Sequence, residues 1–327
     1  MGKTTFIKDL TPNENIDDVF ILTNIEIRQS RNGNYFMQGG IQDNSGNIGF
    51  KKWDITDVDR RLCKENKALF ARIIGKSQEF NGNVQVIVDD VIKLDPGDED
   101  MALCLKMSPV MPKTLYDFIM RVVDEKISDE DYRKIIKYFY EKDRDKLLLY
   151  PAAKQFHHAE VGGLLHHTSR MLQAAIAIGD VYKDLSKDLL FAGVILHDIE
   201  KLRELEVNSI GIAEDYTKEG KMLGHLVMGA IELDKIACKL EIDEEKKLLL
   251  EHMMISHHYT PEFGSPRRPL FPEAEVLHHL DDMDAKLYDM REAISNVPKG
   301  EFSEKIWTLD NKQVYRHSGI EEKPDEK

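Results

Sequence analysis

The chain has 327 residues, 42% hydrophobic and 32% charged, with a formal net charge of −14, an ordinary composition for a globular protein of two domains. The charge excludes a general polyanion-binding surface, but it is unevenly spread: residues 1–95 hold 13 Lys+Arg against 14 Asp+Glu, and the remainder carries −13. Nucleic-acid binding would therefore need a local groove and ring stacking. Cys63, Cys104 and Cys238 are widely spaced and form no C-x-x-C pattern, which fits unpaired thiols in a reducing cytosol. The first residues, MGKTTFIKDLTP, lack an apolar signal core, and no run approaches a membrane span, so a cytoplasmic protein without a membrane partner is expected. GKT at residues 2–4 has no strand or glycine lead-in and is no phosphate loop.

Residues 17–95 read as strands: VFILTNIEIRQ, NYFMQGGIQDN, GNIGFKKWDI, ALFARIIGKSQ and NVQVIVDDVIKL, most separated by Gly/Asn turns. One helical stretch, TDVDRRLCKEN, falls between the third and fourth. That order is the OB-fold barrel's. Tyr35, Phe36, Phe50, Trp53 and Phe80 are candidate stacking rings, flanked by Arg28, Arg31, Lys51, Lys52 and Lys76. Barrel core is the other use for such rings. Strand alternation puts Phe36 and Phe50 inside, turns Tyr35 outward and leaves Trp53 as the first candidate for stacking. Tyr35, Trp53, Lys51 and Lys52 are thus the expected strand-binding residues of this domain.

DPGDEDMALCLKMSP, rich in acids and broken by proline and glycine, reads as a linker. PKTLYDFIMRVVDEKI and SDEDYRKIIKYFYEKDRDKLLLYPAA follow as amphipathic helices that bridge to a second domain, with Ser128 and Asp131 resembling a capping box. His157 and His158 precede the next helix, where they either touch a phosphate or cap the helix. In GGLLHHTSRMLQAAIAIG, His167 lies on the apolar face and His166 is turned away by about 100°.

LLFAGVILHDIEK carries the adjacent pair His197-Asp198, with Leu190, Gly193, Val194 and His197 at i, i+3, i+4 and i+7. His225 borders the apolar stripe of KMLGHLVMGAIELDKI, and His257 shares a face with Leu250, Met253 and Met254. In EAEVLHHLDDMDAKLYDM, Asp281 and Asp284 fall on the face of Leu277 and Tyr288. Any one of these could be a core histidine satisfied by backbone. Three inward histidines, a fourth at the border and two inward acids are better read as a metal centre, because a lone buried carboxylate costs several kcal/mol. His258, Arg267 and Arg268 lie on the Gly/Pro-rich loop after His257 and are candidate phosphodiester contacts, solvated arginines being the alternative.

The order His167, His197-Asp198, Asp281 resembles the H…HD…D signature of the HD-domain metal-dependent phosphohydrolases. The chain looks most similar to the YhaM family of 3′-5′ exoribonucleases, through HHAEVGGLLHHTSRML, DLLFAGVILHDIEK, LGHLVMG, ISHHYTPEFGSP, AEVLHHLDDMDA and FSEKIWTLDNKQVY, which span about residues 157–315. The expected architecture is multidomain β + α: a five-stranded OB-fold nucleic-acid-binding barrel at 1–95, a linker and bridging helices at 96–155, an all-α HD domain at 156–317 and a charged tail at 318–327.

The resemblance implies a first metal on His167, His197, Asp198 and Asp281, and a second on His225 and His257 with Asp198 bridging. A His/Asp set without thiolate suits manganese first, then Co²⁺, Fe²⁺ or Mg²⁺, with zinc a further alternative. Two ions roughly 3.5–4 Å apart can activate water and stabilise both oxygens of a phosphodiester displacement. Lys201 stands where the family's H-D-x-G-K has lysine, which implies phosphate binding or protonation of the leaving oxygen. Asp284 would orient a ligand histidine or the attacking water, giving Asp198, Lys201 and Asp284 as the catalytic group. The family glycine is Glu200 here, which is expected to add bulk and negative charge to the phosphate cradle. The activity implied is 3′-5′ trimming of single-stranded RNA, and of single-stranded DNA. A nucleic-acid-binding regulatory protein with a structural HD core, or a phosphohydrolase of free nucleotides, are the competing readings. A homo-oligomer is left open.

Overall fold

The computed structural model describes residues 3–30, 32–66, 68–80, 82–95, 103–154, 158–208, 210–295 and 297–319. Arg31, His157, the centre of the expected linker and the tail from residue 320 lie outside them. The chain forms two compact units, Met1–Met107 and Ser108–Lys327.

The first unit is a closed barrel of β1 (Asn15–Gln29), β2 (Tyr35–Asp43), β3 (Gly46–Lys52), β4 (Ala68–Phe80) and β5 (Asn83–Lys93), in the order β1-β2-β3-β5-β4. All pairings are antiparallel except β3 with β5, and α1 (Asp57–Glu65) connects β3 to β4. This is the OB-fold arrangement anticipated from the strand spacing. Alternate residues of each strand fill the barrel: Ile16, Phe20 and Leu22 from β1, Met37 and Ile41 from β2, Phe50 from β3, Ile73 from β4, Val86 and Val88 from β5. The helix starts with a reciprocal capping box between Thr56 and Asp59. A strap ahead of β1 is tied down by carboxylates: Asp18 accepts from the Thr4 and Thr5 amides, and Asp43 from the Ile7 amide.

The second unit is helical: α2 (Pro112–Lys126), α3 (Glu130–Lys142), α4 (Gly163–Val181), α5 (Lys187–Leu196), α6 (Lys218–Leu240), α7 (Glu244–Ser256) and α8 (Pro272–Ile294). A helical turn at Lys201–Glu204 leads into a small antiparallel hairpin, β6 (Leu205–Val207) with β7 (Ala213–Tyr216), which no pattern in the sequence announces. Every residue of α5 from Leu189 to Leu196 is buried, as an all-round apolar helix must be. Helix α7 approaches it closely, since a Cβ on Gly193 would stand 2.1 Å from Met253 Cε. The central helix therefore delivers its last residues, His197 and Asp198, into the middle of the unit. The expected Ser128–Asp131 box is not formed: Asp129 caps α3, and Ser128 instead donates to Asp188 of α5. Among the described residues no helix is long and apolar enough to cross a membrane.

Candidate metal centre and nucleic-acid surface

On the barrel, Tyr35 and Trp53 are 48% and 41% exposed and Phe80 is exposed, while Phe50 is core. Phe36 departs from the expectation. Its neighbour Met37 takes the inner face, so Phe36 lies on the outer one, covered by Trp53 with ring centroids 4.8 Å apart. Lys51 Nζ lies over the Phe80 and Phe36 rings, at 5.0 and 5.9 Å. Lys52, expected to face a nucleic acid, shares Met37's side of the sheet and is buried in an ion pair with Asp59 at 3.2 Å. Alternation by one residue separates the two lysines: Lys51 is available to a strand and Lys52 is not.

In the helical unit, His167 of α4, the His197-Asp198 pair after α5, His225 of α6, His257 and His258 after α7, and Asp281 of α8 converge. Two groups share Asp198: His167, His197 and Asp198, and Asp198, His225, His257 and His258. Asp198 Oδ1 lies 3.2 Å from His225 Nε2 and 3.8 Å from His257 Nε2. Its Oδ2 lies 3.3 Å from His197 Nε2 and 3.8 Å from His167 Nε2. Asp281 Oδ1 is 3.2 Å from His167 Nε2, and its Oδ2 is 3.9 Å from His258 Nε2.

Each imidazole is held by its other nitrogen. His197 Nδ1 donates to Val194 O and His257 Nδ1 to Met254 O, both at 2.8 Å, and His258 Nδ1 donates to Phe263 O at 2.7 Å. His167 Nδ1 donates to Asp284 Oδ2 at 2.9 Å, and His225 Nδ1 to Glu204 at 3.1 Å. A neutral imidazole that donates through Nδ1 carries its lone pair on Nε2. All five Nε2 atoms thus present toward the shared carboxylates. Those of His197, His225 and His257, with Asp198 Oδ1, are buried without a directed hydrogen bond among the described residues, and Asp198 Oδ2 has the Lys201 ammonium at 2.7 Å. Such a convergence of buried lone pairs is costly unless a cation binds them. The residues fit divalent metal, and the donors are nitrogen and oxygen only.

The carboxylates draw positive charge to the site, whether as a cation or as a proton on an imidazole. Burial opposes ionisation of Asp198, but Lys201 and His197 outweigh it and hold the carboxyl well below its usual range. Asp281 is likewise held well below by His167. Burial works against the His167 charge, yet hydrogen bonds and charge from Asp281 and Asp284 raise it to about 10. Against the same burial, Asp198 and Glu204 raise His225 to about 8. Burial keeps His257 well below its ordinary value, and burial with the neighbouring His225 takes His258 down to about 4.

Residues 164–286 match the family model of the HD domain. The match runs from the first turn of α4 into α8 and takes in every member of the cluster. An HD domain indicates a metal-dependent phosphohydrolase. Among solved structures the chain is similar to the OB domain of a Thermoplasma acidophilum protein, at 18% identity and TM-score 0.22 over 28% of this chain and 86% of that one. It is also similar to the second OB-fold domain of replication protein A from Methanococcus maripaludis, at 15% identity and TM-score 0.20 over 28% and 96%. A replication protein A heterotrimer bound to ssDNA aligns at 19% identity and TM-score 0.19 over 25% and 61%. The OB assignment rests on the strand order itself.

Within the HD domain several expected roles change. Asp284 takes the first of its two expected roles, holding a histidine: its Oδ2 accepts from His158 and His167, both at 2.9 Å, and its Oδ1 from Arg170 at 2.8 Å. It positions His167. His158, expected to touch substrate, is fully buried behind that carboxylate. His166, expected to turn away, is buried too, bonded through Nδ1 to Glu160 at 2.9 Å. His258, expected on a phosphate, joins the metal-facing set. Arg267 and Arg268 are exposed, and Arg268 lies over the Tyr259 ring at 5.1 Å. Lys201 Nζ is buried, 2.7 Å from Asp198 Oδ2. Glu200 does not crowd a phosphate cradle: its carboxylate is taken by Arg203, which also reaches Glu232 at 3.3 Å.

Glu204 and Glu160 were not anticipated. Helix α6 is broken at Gly224 (φ +70°), and there Glu204 accepts from both the His225 amide, at 3.0 Å, and its Nδ1. The spacing of Glu204, one helical turn beyond Lys201, was the only signal available.

Proposed function

We propose that the chain is a metal-dependent 3′-5′ exoribonuclease that hydrolyses single-stranded RNA, and single-stranded DNA, from the 3′ end. The observation that carries the reading is Asp198: one buried carboxylate facing two sets of imidazole Nε2 atoms. In this reading His167, His197, Asp198 and Asp281 hold one divalent cation, with Mn²⁺ the first choice. Asp198, His225, His257 and His258 hold a second. Ions in such a site polarise a phosphoryl oxygen and lower the pKa of water.

The chain's own groups then have distinct tasks. Lys201, held beside Asp198 and kept charged against burial by that carboxylate, sets a fixed positive charge for a phosphoryl or leaving oxygen. Asp284 and Glu204 fix the imidazole rings of His167 and His225 so that Nε2 keeps its direction. Arg267 and Arg268, on the loop after α7, are assigned to the strand's phosphates. On the barrel, the exposed Trp53 and Tyr35 rings offer stacking worth roughly 1–3 kcal/mol per base, with Lys51 for the backbone. The 3′-5′ direction is drawn from the resemblance of the six segments to the YhaM exoribonucleases. Cys63, Cys104 and Cys238 form no disulfide among the described residues, which supports a reducing compartment such as the cytoplasm.

The test is a 5′-labelled single-stranded RNA incubated with protein stripped by chelator and then resupplied with Mn²⁺. A ladder shortening from the 3′ end is expected, absent without metal and absent in Asp198→Ala, which still binds the strand. Intact RNA at saturating Mn²⁺ alongside hydrolysis of free nucleotides would replace this reading with the nucleotide phosphohydrolase. Binding without any hydrolysis would favour the regulatory protein.

A further inference from the structure

The loop after α7 turns back onto one of the metal-facing imidazoles. His258 Nδ1 donates to Phe263 O at 2.7 Å, and the His258 amide donates to the buried Ser265 Oγ at 3.1 Å. Between these two bonds the backbone closes on itself: Phe263 N donates to Thr260 O, Gly264 N to Pro261 O and Ser265 N to Thr260 O, all at 3.0–3.1 Å. Gly264 takes φ +97°, and a Cβ there would stand 4.0 Å from Leu226 Cδ1, next to His225. The His225 and His258 rings are 5.2 Å apart. The turn therefore lies beside two members of the cluster at once.

The turn is also strained and firmly held. Tyr259 has φ +70°, a left-handed conformation that a bulky side chain adopts only where its surroundings impose it. They do so here: its ring packs on His278 with centroids 4.7 Å apart, Arg268 lies over it at 5.1 Å, and His278 Nδ1 donates to His257 O at 2.8 Å. Phe263 points the other way in its energetics. Its side chain is 72% exposed and makes no ring contact among the described residues. Any residue supplies the carbonyl that holds His258, so that bond does not require a phenyl ring. A lone exposed ring is ordinary on a protein surface; this one sits on a strained, fixed turn one hydrogen bond from a metal-facing imidazole.

In a nucleotide, one sugar separates the phosphate from the base. One imidazole and one hydrogen bond separate Phe263 from the point where the Nε2 atoms converge, a comparable reach. The acidic excess of this part of the chain favours a neutral contact with substrate over a further anion, and a base offers a neutral aromatic face. We propose that Phe263 stacks on one of the two bases flanking the scissile bond and so seats the reacting nucleotide at the cluster. Stacking reads the face and not the edge of a base, so all four bases are accepted and the larger purines are favoured. The assignment rests on the nuclease reading above and adds to it the residue that holds the reacting end, apart from the rings of the barrel.

Phe263→Ala and Phe263→Trp test it in the full chain with Mn²⁺ supplied. Alanine should raise KM for single-stranded RNA about tenfold or more at nearly constant kcat, because stacking is made equally in ground and transition states, and tryptophan should restore it. On a strand made abasic at the stacked position, wild type and Phe263→Ala should share one KM. In Asp198→Ala, which does not cut, 5-iodouracil at that position should photo-crosslink to Phe263, and adding Phe263→Leu should abolish the adduct. Mn²⁺ affinity and Tm should match wild type, since the carbonyl on His258 is kept. Unchanged KM in Phe263→Ala overturns the stacking role while leaving hydrolysis in place. So does a loss that persists on strands abasic at either flanking position, or one that comes with weakened Mn²⁺ binding. A wild-type chain that leaves RNA intact overturns the nuclease reading and the stacking role with it. Should Phe263→Ala lower Tm, Phe263→Leu, which keeps apolar bulk without the ring, decides by the same KM comparison.

Discussion

Glu204 is the sharpest place to test whether the imidazole cluster is built for cations. Its carboxylate accepts from the His225 amide at 3.0 Å and from His225 Nδ1 at 3.1 Å. Glu204→Ala leaves a buried amide unsatisfied at the break in α6, which costs about 1–3 kcal/mol of stability. It also frees the ring to rotate or change tautomer. Removing such a partner typically weakens a metal site by roughly 10–100-fold, or about 1.4–2.8 kcal/mol. Calorimetric titration of metal-free protein with Mn²⁺ should show two equivalents, of which the one involving His225 weakens by that factor in Glu204→Ala. Glu204→Gln, which keeps an acceptor for the amide but not the charge, should fall between. The His167 side should keep its affinity, because Asp284 is untouched. Wild-type binding of both equivalents in Glu204→Ala would refute the reasoning, and so would equal weakening of both in a chain of unchanged stability.

Glu160 predicts a pH dependence. Burial pushes its pKa up, but hydrogen bonds and charge from His158 and His166 outweigh this and hold it at about 2, below the ordinary 4.5. A depressed carboxylate contributes stability that is full above its unfolded pKa and is lost as pH falls through the folded one. Glu160→Gln should therefore destabilise by on the order of 3 kcal/mol at neutral pH, with the gap to wild type closing between about pH 4.5 and 2. Denaturant melts across that range check it; a constant gap would count against the assignment. Lys51→Met should weaken single-strand binding with little change in Tm, whereas Lys52→Met should lower Tm by leaving Asp59 buried and unpaired, a loss of about 3–5 kcal/mol. The reverse pattern in anisotropy and melting would mean the strand register is wrong. Glu200→Gly should leave the nuclease rate per folded molecule unchanged and cost about 1.5–3 kcal/mol through the lost Arg203 bonds. A raised rate would show that the carboxylate does reach the phosphate after all.

The period-two runs and Gly/Asn turns of residues 15–93 were enough to lay out the barrel, because a half-buried strand writes its alternation into the chain. The helical spacing of His167, Asp281 and Asp284, and the apolar run ending at His197-Asp198, likewise pointed them all inward. Where one residue of register decides the outcome, the pattern failed: Phe36 is buried, but on the outer face beneath Trp53, and Lys52 is inside, since a single step along a strand exchanges the faces. Ligand types could be read from spacing, but not the atoms that face a cation. That choice belongs to what each Nδ1 touches: Val194 O, Met254 O, Phe263 O, Asp284 and Glu204. These partners come from the helix end itself or from segments far along the chain, and only packing brings the distant ones within hydrogen-bond reach. The break at Gly224 that turns His225 toward Asp198, and the second use of Asp284 to hold His158, were decided in the same way. Side-chain periodicity is local and survives in a linear sequence; the pairing of buried polar groups is settled by distance in three dimensions.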